Sequence, residues 1–139
     1  MDVKTRIFAD RLYLILGGIF IASLVSSNLI FQKFFIWTTW LPFYGDYTFE
    51  ISVGILPYPI TFLVTDIICE IYGRKKADQI VFSGFIASMF IMGVVFIADL
   101  ATATTWSPVD NDTFHKVFGL FGPAIFASMA AYLTAQFID

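Results

Sequence analysis

The stretch LYLILGGIFIASLVSSNLIF, residues 12–31, holds no charged side chain between Arg11 and Lys33. About 20 apolar residues at 1.5 Å rise per residue cross roughly 30 Å, the thickness of a bilayer's hydrocarbon core. Lys4, Arg6 and Arg11 precede it, as in a signal peptide, but a signal core has only about 7–15 residues. Ala22 and Ser23 are small, yet the apolar run continues past them. The stretch therefore reads as an uncleaved first span.

Working outward, three more stretches have the same character: 51–72, 79–98 and 117–138. The chain of 139 residues is 58% apolar and 14% charged, with 17 Phe and a mean hydropathy of +0.80. Soluble domains are roughly 45–50% apolar and about 25% charged. Such a balance excludes an ordinary soluble enzyme, a disordered segment and a nucleic-acid binder. The apolar runs are continuous and do not alternate with polar residues, so a β-barrel is excluded as well. The expected fold is all-α: a polytopic transmembrane helix bundle of about four spans, forming one transmembrane domain over residues 1–139.

The eight basic residues sort by loop. Lys4, Arg6 and Arg11 precede the first span, and Lys33 alone follows it. Arg74, Lys75 and Lys76 lie between the second and third spans, and Lys116 alone lies in the last loop. This alternation places the N-terminus in the cytoplasm. The loop 99–116, with Asp99, Asp110 and Asp112, then faces outward. So does the loop 32–50, whose Trp37, Trp40, Tyr44 and Tyr47 suit a membrane-interface belt. One cysteine, Cys69, and one histidine, His115, leave too few ligands for a metal, haem or iron–sulfur cofactor. Cys69 reads as a packing residue and His115 as solvated.

The second span carries the informative groups. Asp66 and Glu70, four residues apart, share one helix face. Counted from Arg74, Asp66 lies about 12 Å inside the membrane and Glu70 about 6 Å. A carboxylate at mid-span costs roughly 2.5–3.5 kcal/mol and faces a cavity or a partner. Arg74 can neutralise Glu70 from the helix end but is two turns from Asp66. Pro57 and Pro59, just upstream, mark either a helix start or a broken helix at a binding site. Asn28, with Ser26 and Ser27, suits interhelical hydrogen bonds or ligand contact; Gln136 and Asp139 close the fourth span. Phe20-Ile21-Ala22-Ser23 recurs as Phe85-Ile86-Ala87-Ser88 and, nearly, as Phe126-Ala127-Ser128. The echo reads as small residues for close helix packing or as a relic of duplication.

The run LPYPITFLVTDIICEIYGRKKA, residues 56–77, resembles the signature of the queuosine precursor transporter family: a proline, Thr61-Phe62, Asp66 and Glu70 four apart, then Tyr72-Gly73 and basic residues. Asn28, Lys33, Gly84-Phe85, Ser128, Ala131, Tyr132, Gln136 and Asp139 extend the resemblance along nearly the whole chain. Cys69 stands where the family usually has Asn. The resemblance implies import of 7-cyano- or 7-aminomethyl-7-deazaguanine across the plasma membrane, with no cofactor. It implies about six spans, so that this chain is either a fragment or a reduced member that assembles with a second copy or another chain.

Asn28, Phe62, Asp66, Glu70, Tyr132, Gln136 and Asp139 are the candidate substrate-binding residues. A carboxylate can accept the adjacent N–H donors of a guanine-like edge, Asn28 or Gln136 can address the ring carbonyl or cyano group, and Tyr58, Phe62 or Tyr132 can stack on the rings. Two other readings stay open. One is a structural or assembly subunit in which Asp66 pairs with a basic residue of a partner helix. The other is a membrane enzyme using the Asp66/Glu70 pair, although no nucleophile or phosphate-binding motif accompanies it.

Overall fold

The computed structural model describes residues 3–43 and 45–138, and the side chains of all of these except 132, 133 and 135–138. The described elements are α1 (Val3–Ile30), β1 (Phe34–Leu41), β2 (Gly45–Ser52), a single 3-10 turn (Val53–Ile55), α2 (Tyr58–Tyr72), α3 (Arg74–Leu100), α4 (Asn111–Phe118) and α5 (Phe121–Ile138). Four segments are long and apolar enough to cross a membrane: Val3–Ile30, Val53–Tyr72, Arg74–Leu100 and Asn111–Ala131. The chain is a polytopic bundle of membrane-spanning α-helices. Its first helix begins well ahead of the apolar run that starts at Leu12, so the basic residues Lys4, Arg6 and Arg11 are helical too.

Helices α1, α2 and α3 pack against one another, and α5 packs mainly on α3 and α1. The core joins Phe20 and Leu24 of α1, Val64 and Ile68 of α2, Ile80 and Val81 of α3, and Phe121, Ile125 and Met129 of α5. Apolar helices gain little by leaving lipid for one another, so close packing over small residues must hold them together. Ser23, Ser27 and Ser88 are buried accordingly, and Gly84 lies against the Phe20 ring. This placement favours packing as the role of the Phe-Ile-Ala-Ser echo.

The two ends of the bundle differ. At one end, the Tyr13 hydroxyl donates to the Lys76 carbonyl at 3.1 Å and the Tyr72 hydroxyl to the Ala9 carbonyl at 2.7 Å. The Lys76 ammonium stands 5.0 Å from the centre of the Tyr13 ring. These contacts bring the basic N-terminal turns and the basic start of α3 together. Gly73 makes the joint there: at φ +85° it closes α2, its N–H reaching the Cys69 carbonyl, and directly precedes α3. Backbone in that region favours glycine.

At the other end, the Gln32 side-chain amide donates to the Val117 carbonyl at 2.7 Å. His115 and Asp99 pair at 2.8 Å. His115 thus sits on α4 rather than in an irregular loop, though its side chain stays largely exposed. Asp110 caps α4 by accepting from the Thr113 N–H at 2.9 Å. Hydrogen bonds from the Thr113 side chain and backbone hold the Asp110 carboxyl below its usual 3.8. The cap's contribution is therefore fully present above that value and is lost as pH falls through the depressed one.

The loop expected over 32–50 is a β-hairpin. Strands β1 and β2 pair antiparallel from Phe34 opposite Ser52 to Leu41 opposite Gly45; Tyr44 lies outside the described residues. Aromatic and β-branched residues suit paired strands, which the run FFIWTTWL supplies. The prolines mark a helix start: Pro57 is the cap residue of α2 and Pro59 lies in its first turn, where a missing N–H is harmless.

The hairpin and α2 are both rooted on the end of α1. The Ser52 hydroxyl donates to the Phe31 carbonyl at 2.5 Å and the Val53 N–H to the Lys33 carbonyl at 2.7 Å. The Ser27 hydroxyl donates to the Gly54 carbonyl. A Cβ on Gly54 would fall 2.8 Å from the Ser27 carbonyl oxygen and 2.9 Å from Phe31 Cα, whereas one on Gly18 would meet nothing within 4 Å. Gly54→Ala is expected to destabilise the protein by about 1–3 kcal/mol through overpacking against backbone. Gly18→Ala should stabilise it by about 0.5–1 kcal/mol. Reversible unfolding in detergent measures both, and equal effects would contradict the seat assigned to Gly54.

Candidate functional site

Helix α2 divides cleanly between a packed side and an open side. Thr61, Val64 and Ile68 are buried against α1 and α3. Phe62, Asp66 and Glu70, spaced by four, are exposed. At 100° per residue, Asp66 lies roughly 170° around the helix from the centre of the buried stripe. The two carboxylates therefore face away from the bundle that this chain builds. Among the described residues neither has a hydrogen-bond or ion-pair partner. Cys69, beside Glu70, is exposed as well.

The Phe62 ring continues the ridge and meets Tyr58 edge-to-face, with centroids 5.4 Å apart. Below it the helix is tightened by hydroxyls. Thr61 donates to the Tyr58 carbonyl at 2.6 Å, and Thr65 donates to the carbonyls of Thr61 and Phe62 at 3.0 and 2.9 Å. These hydroxyls add a second donor to carbonyls on the helix's own i−3 and i−4 positions. Phe62, Asp66 and Glu70 thus form one aromatic–acidic ridge on a helix fixed by its opposite face.

Asn28 is placed elsewhere. It is buried at 6% exposure, and its carboxamide is engaged on both sides. The Ser128 hydroxyl donates to Asn28 Oδ1 at 2.8 Å, and Asn28 Nδ2 donates to the Leu24 carbonyl at 3.1 Å. This bond ties α1 to α5 inside the core rather than joining the ridge. Ser88, also fully buried, has no partner for its hydroxyl among the described residues. The side chains of Tyr132 and Gln136, and all of Asp139, lie outside the described residues.

Among the described residues, three cavities of about 290, 330 and 380 Å³ lie at the end where α3 meets α4 and share Asp99 as a wall. The largest is lined by Thr102, Asn111, Asp112, His115 and Lys116. The sequence pattern gave no notice of that polar corner, because Asp99 and His115 are separated by a loop and meet only in three dimensions. Among the described residues no group of three or more His, Cys, Asp or Glu side chains could hold a metal ion.

Residues 52–139 match the protein family described as "Putative vitamin uptake transporter". The whole chain is also similar, at 29% identity over 146 aligned positions, to a Haemophilus influenzae protein named "Probable queuosine precursor transporter". The chain spans 60% of that relative's length. No solved structure matches the chain.

The Asn28–Ser128 bond is a test of how the core is held. Ser128→Ala and Asn28→Leu, combined in a double-mutant cycle, are expected to give a coupling energy of about 0.6–1.7 kcal/mol. Thermal unfolding in detergent reads it, and zero coupling would mean that the bond contributes nothing to the α1–α5 contact.

Proposed function

Because the chain belongs to the vitamin uptake transporter family, we propose that it imports 7-deazaguanine precursors of queuosine, with the ridge of α2 as the recognition surface. The observation that carries this reading is the pair of carboxylates, Asp66 and Glu70, on a spanning helix and turned away from the chain's own core. At mid-membrane such groups need a polar partner. A deazaguanine offers a ring N–H beside an exocyclic amino group, two donors spaced for one carboxylate. Phe62, held edge-on by Tyr58, offers a face on which a flat heterocycle stacks.

The name of the Haemophilus influenzae relative supports this choice of substrate. Asn28 is occupied with Ser128 and Leu24, so in this proposal it positions α5 rather than touching substrate. Tyr132, Gln136 and Asp139, which follow the described core of α5 in sequence, are in this proposal the remaining substrate-binding residues. A second copy or a further chain segment encloses the ridge from its open side. The protein acts as a carrier, not an enzyme.

The basic turns gathered at one end of the bundle support a cytoplasmic N-terminus in the plasma membrane. On that orientation the Asp99–His115 corner and its cavities face outward, where substrate arrives.

A second reading has the same ridge as its basis: Asp66 pairs with a cation on a partner helix, and the chain is an assembly subunit. One experiment separates the two. Asp66→Asn and Glu70→Gln proteins are expressed in cells that cannot make the precursor, and uptake is followed by queuosine appearing in tRNA. Loss of a hydrogen bond to a charged group, about 1.5–3 kcal/mol, lowers uptake by about ten- to a hundredfold. Membrane insertion and oligomeric state stay unchanged. Unchanged uptake overturns the substrate role of the ridge, and loss of assembly with the variants establishes the second reading instead.

A further inference from the structure

The hairpin between α1 and α2 stands apart from the bundle. Its strands pair with each other and make few contacts with any helix. The register decides what each face carries, because directly opposed residues point the same way. Phe35 opposes Ile51, Trp37 opposes Phe49, Thr39 opposes Tyr47 and Leu41 opposes Gly45. That face bears no charge. The other face pairs Ile36 with Glu50, Thr38 with Thr48 and Trp40 with Asp46, and so holds both of the hairpin's acidic groups. On the uncharged face Tyr47 and Phe49 pack edge-on at 4.7 Å, and Trp37 is 58% exposed.

We propose that the uncharged face of the hairpin lies flat on the bilayer and anchors this end of the bundle in the headgroup zone. The hairpin is continuous with the spans. It grows directly from the last turn of α1 and returns into the segment Val53–Tyr72, both of which cross the membrane. Its root is held on Phe31 and Lys33, so it starts at the membrane boundary.

Eight residues per strand reach about 26 Å. An upright hairpin would carry the uncharged face with Trp37 and Tyr47, and the fully exposed Phe43 of the tip, away from the bilayer. Laid down, it puts Trp37 and Tyr47 at the level such side chains prefer and turns Asp46 and Glu50 to the solvent. The unpaired edges of a two-stranded ribbon fix the depth, since their N–H and C=O groups cannot be satisfied in hydrocarbon. The hairpin rests among headgroups and does not enter the core.

The chain has three tryptophans, Trp37, Trp40 and Trp106, which makes the face assignment measurable. Two single-tryptophan forms of the full chain, W40F with W106F and W37F with W106F, are placed in phosphatidylcholine nanodiscs. Bromine on the upper acyl chain and iodide in the buffer serve as quenchers. Trp37 is expected to lose at least about half its emission to the brominated lipid and little to iodide, and Trp40 the reverse, as opposite faces of a flat ribbon require. The single variant W106F, which keeps both, should show each quencher removing only part of the emission. Equal access of iodide to both residues overturns the proposal. So does a Trp37 that neither quencher reaches, which would mean that protein covers the face.

Discussion

The last two turns of α1 are the seat on which the rest of the chain is assembled. Ser23, Ser27 and Asn28 are buried there, and each direction of the fold begins from one of them or their neighbours. Ser27 receives the turn that leads into α2. Phe31 accepts from Ser52 and holds the hairpin. Asn28 accepts from Ser128 and fixes α5. Lipid supplies no hydrophobic drive for one apolar helix to choose another, so this small polar patch, with Gly54 pressed against it, decides which faces meet.

Seating α2 in this way determines what its other side presents. Thr61, Val64 and Ile68 are taken up by the core, and the four-residue spacing of Phe62, Asp66 and Glu70 then leaves all three on the opposite side. The acidic ridge is therefore a consequence of helix geometry once the buried stripe is chosen. Conversely, the polar corner at Asp99 and His115 depends on α4 folding back onto the end of α3, which its Asp110 cap stabilises.

The spans were legible in the sequence because the signal is one-dimensional: long uncharged runs, bounded by basic residues that alternate in number from loop to loop. The shared face of Asp66 and Glu70 was legible for the same reason, since helix periodicity needs no tertiary knowledge. Whether that face points inward or outward was not, because it depends on which stripe α1 and α3 select. Asn28 shows the same limit from the other side. Its polarity announced a contact, but only the arrangement of α5 reveals that the contact is Ser128. In the hairpin, aromatic residues that suit a membrane interface are also strong strand formers, and reading only the first property hid the second. For Pro57 and Pro59 both meanings were open from sequence, and the 3-10 turn ahead of them decides for a helix start.

Gly73 is the whole of the connection between α2 and α3. A one-residue joint leaves no length of chain on which either helix could wait while the other enters the membrane, so during biogenesis the two must be inserted as a pair. Helix α2 on its own is short and burdened by two carboxylates, while α3 is long and free of charge from Gln79 to Ala98. The joint couples the reluctant segment to the willing one, so that the partition of α3 into lipid favours the insertion of α2 beside it.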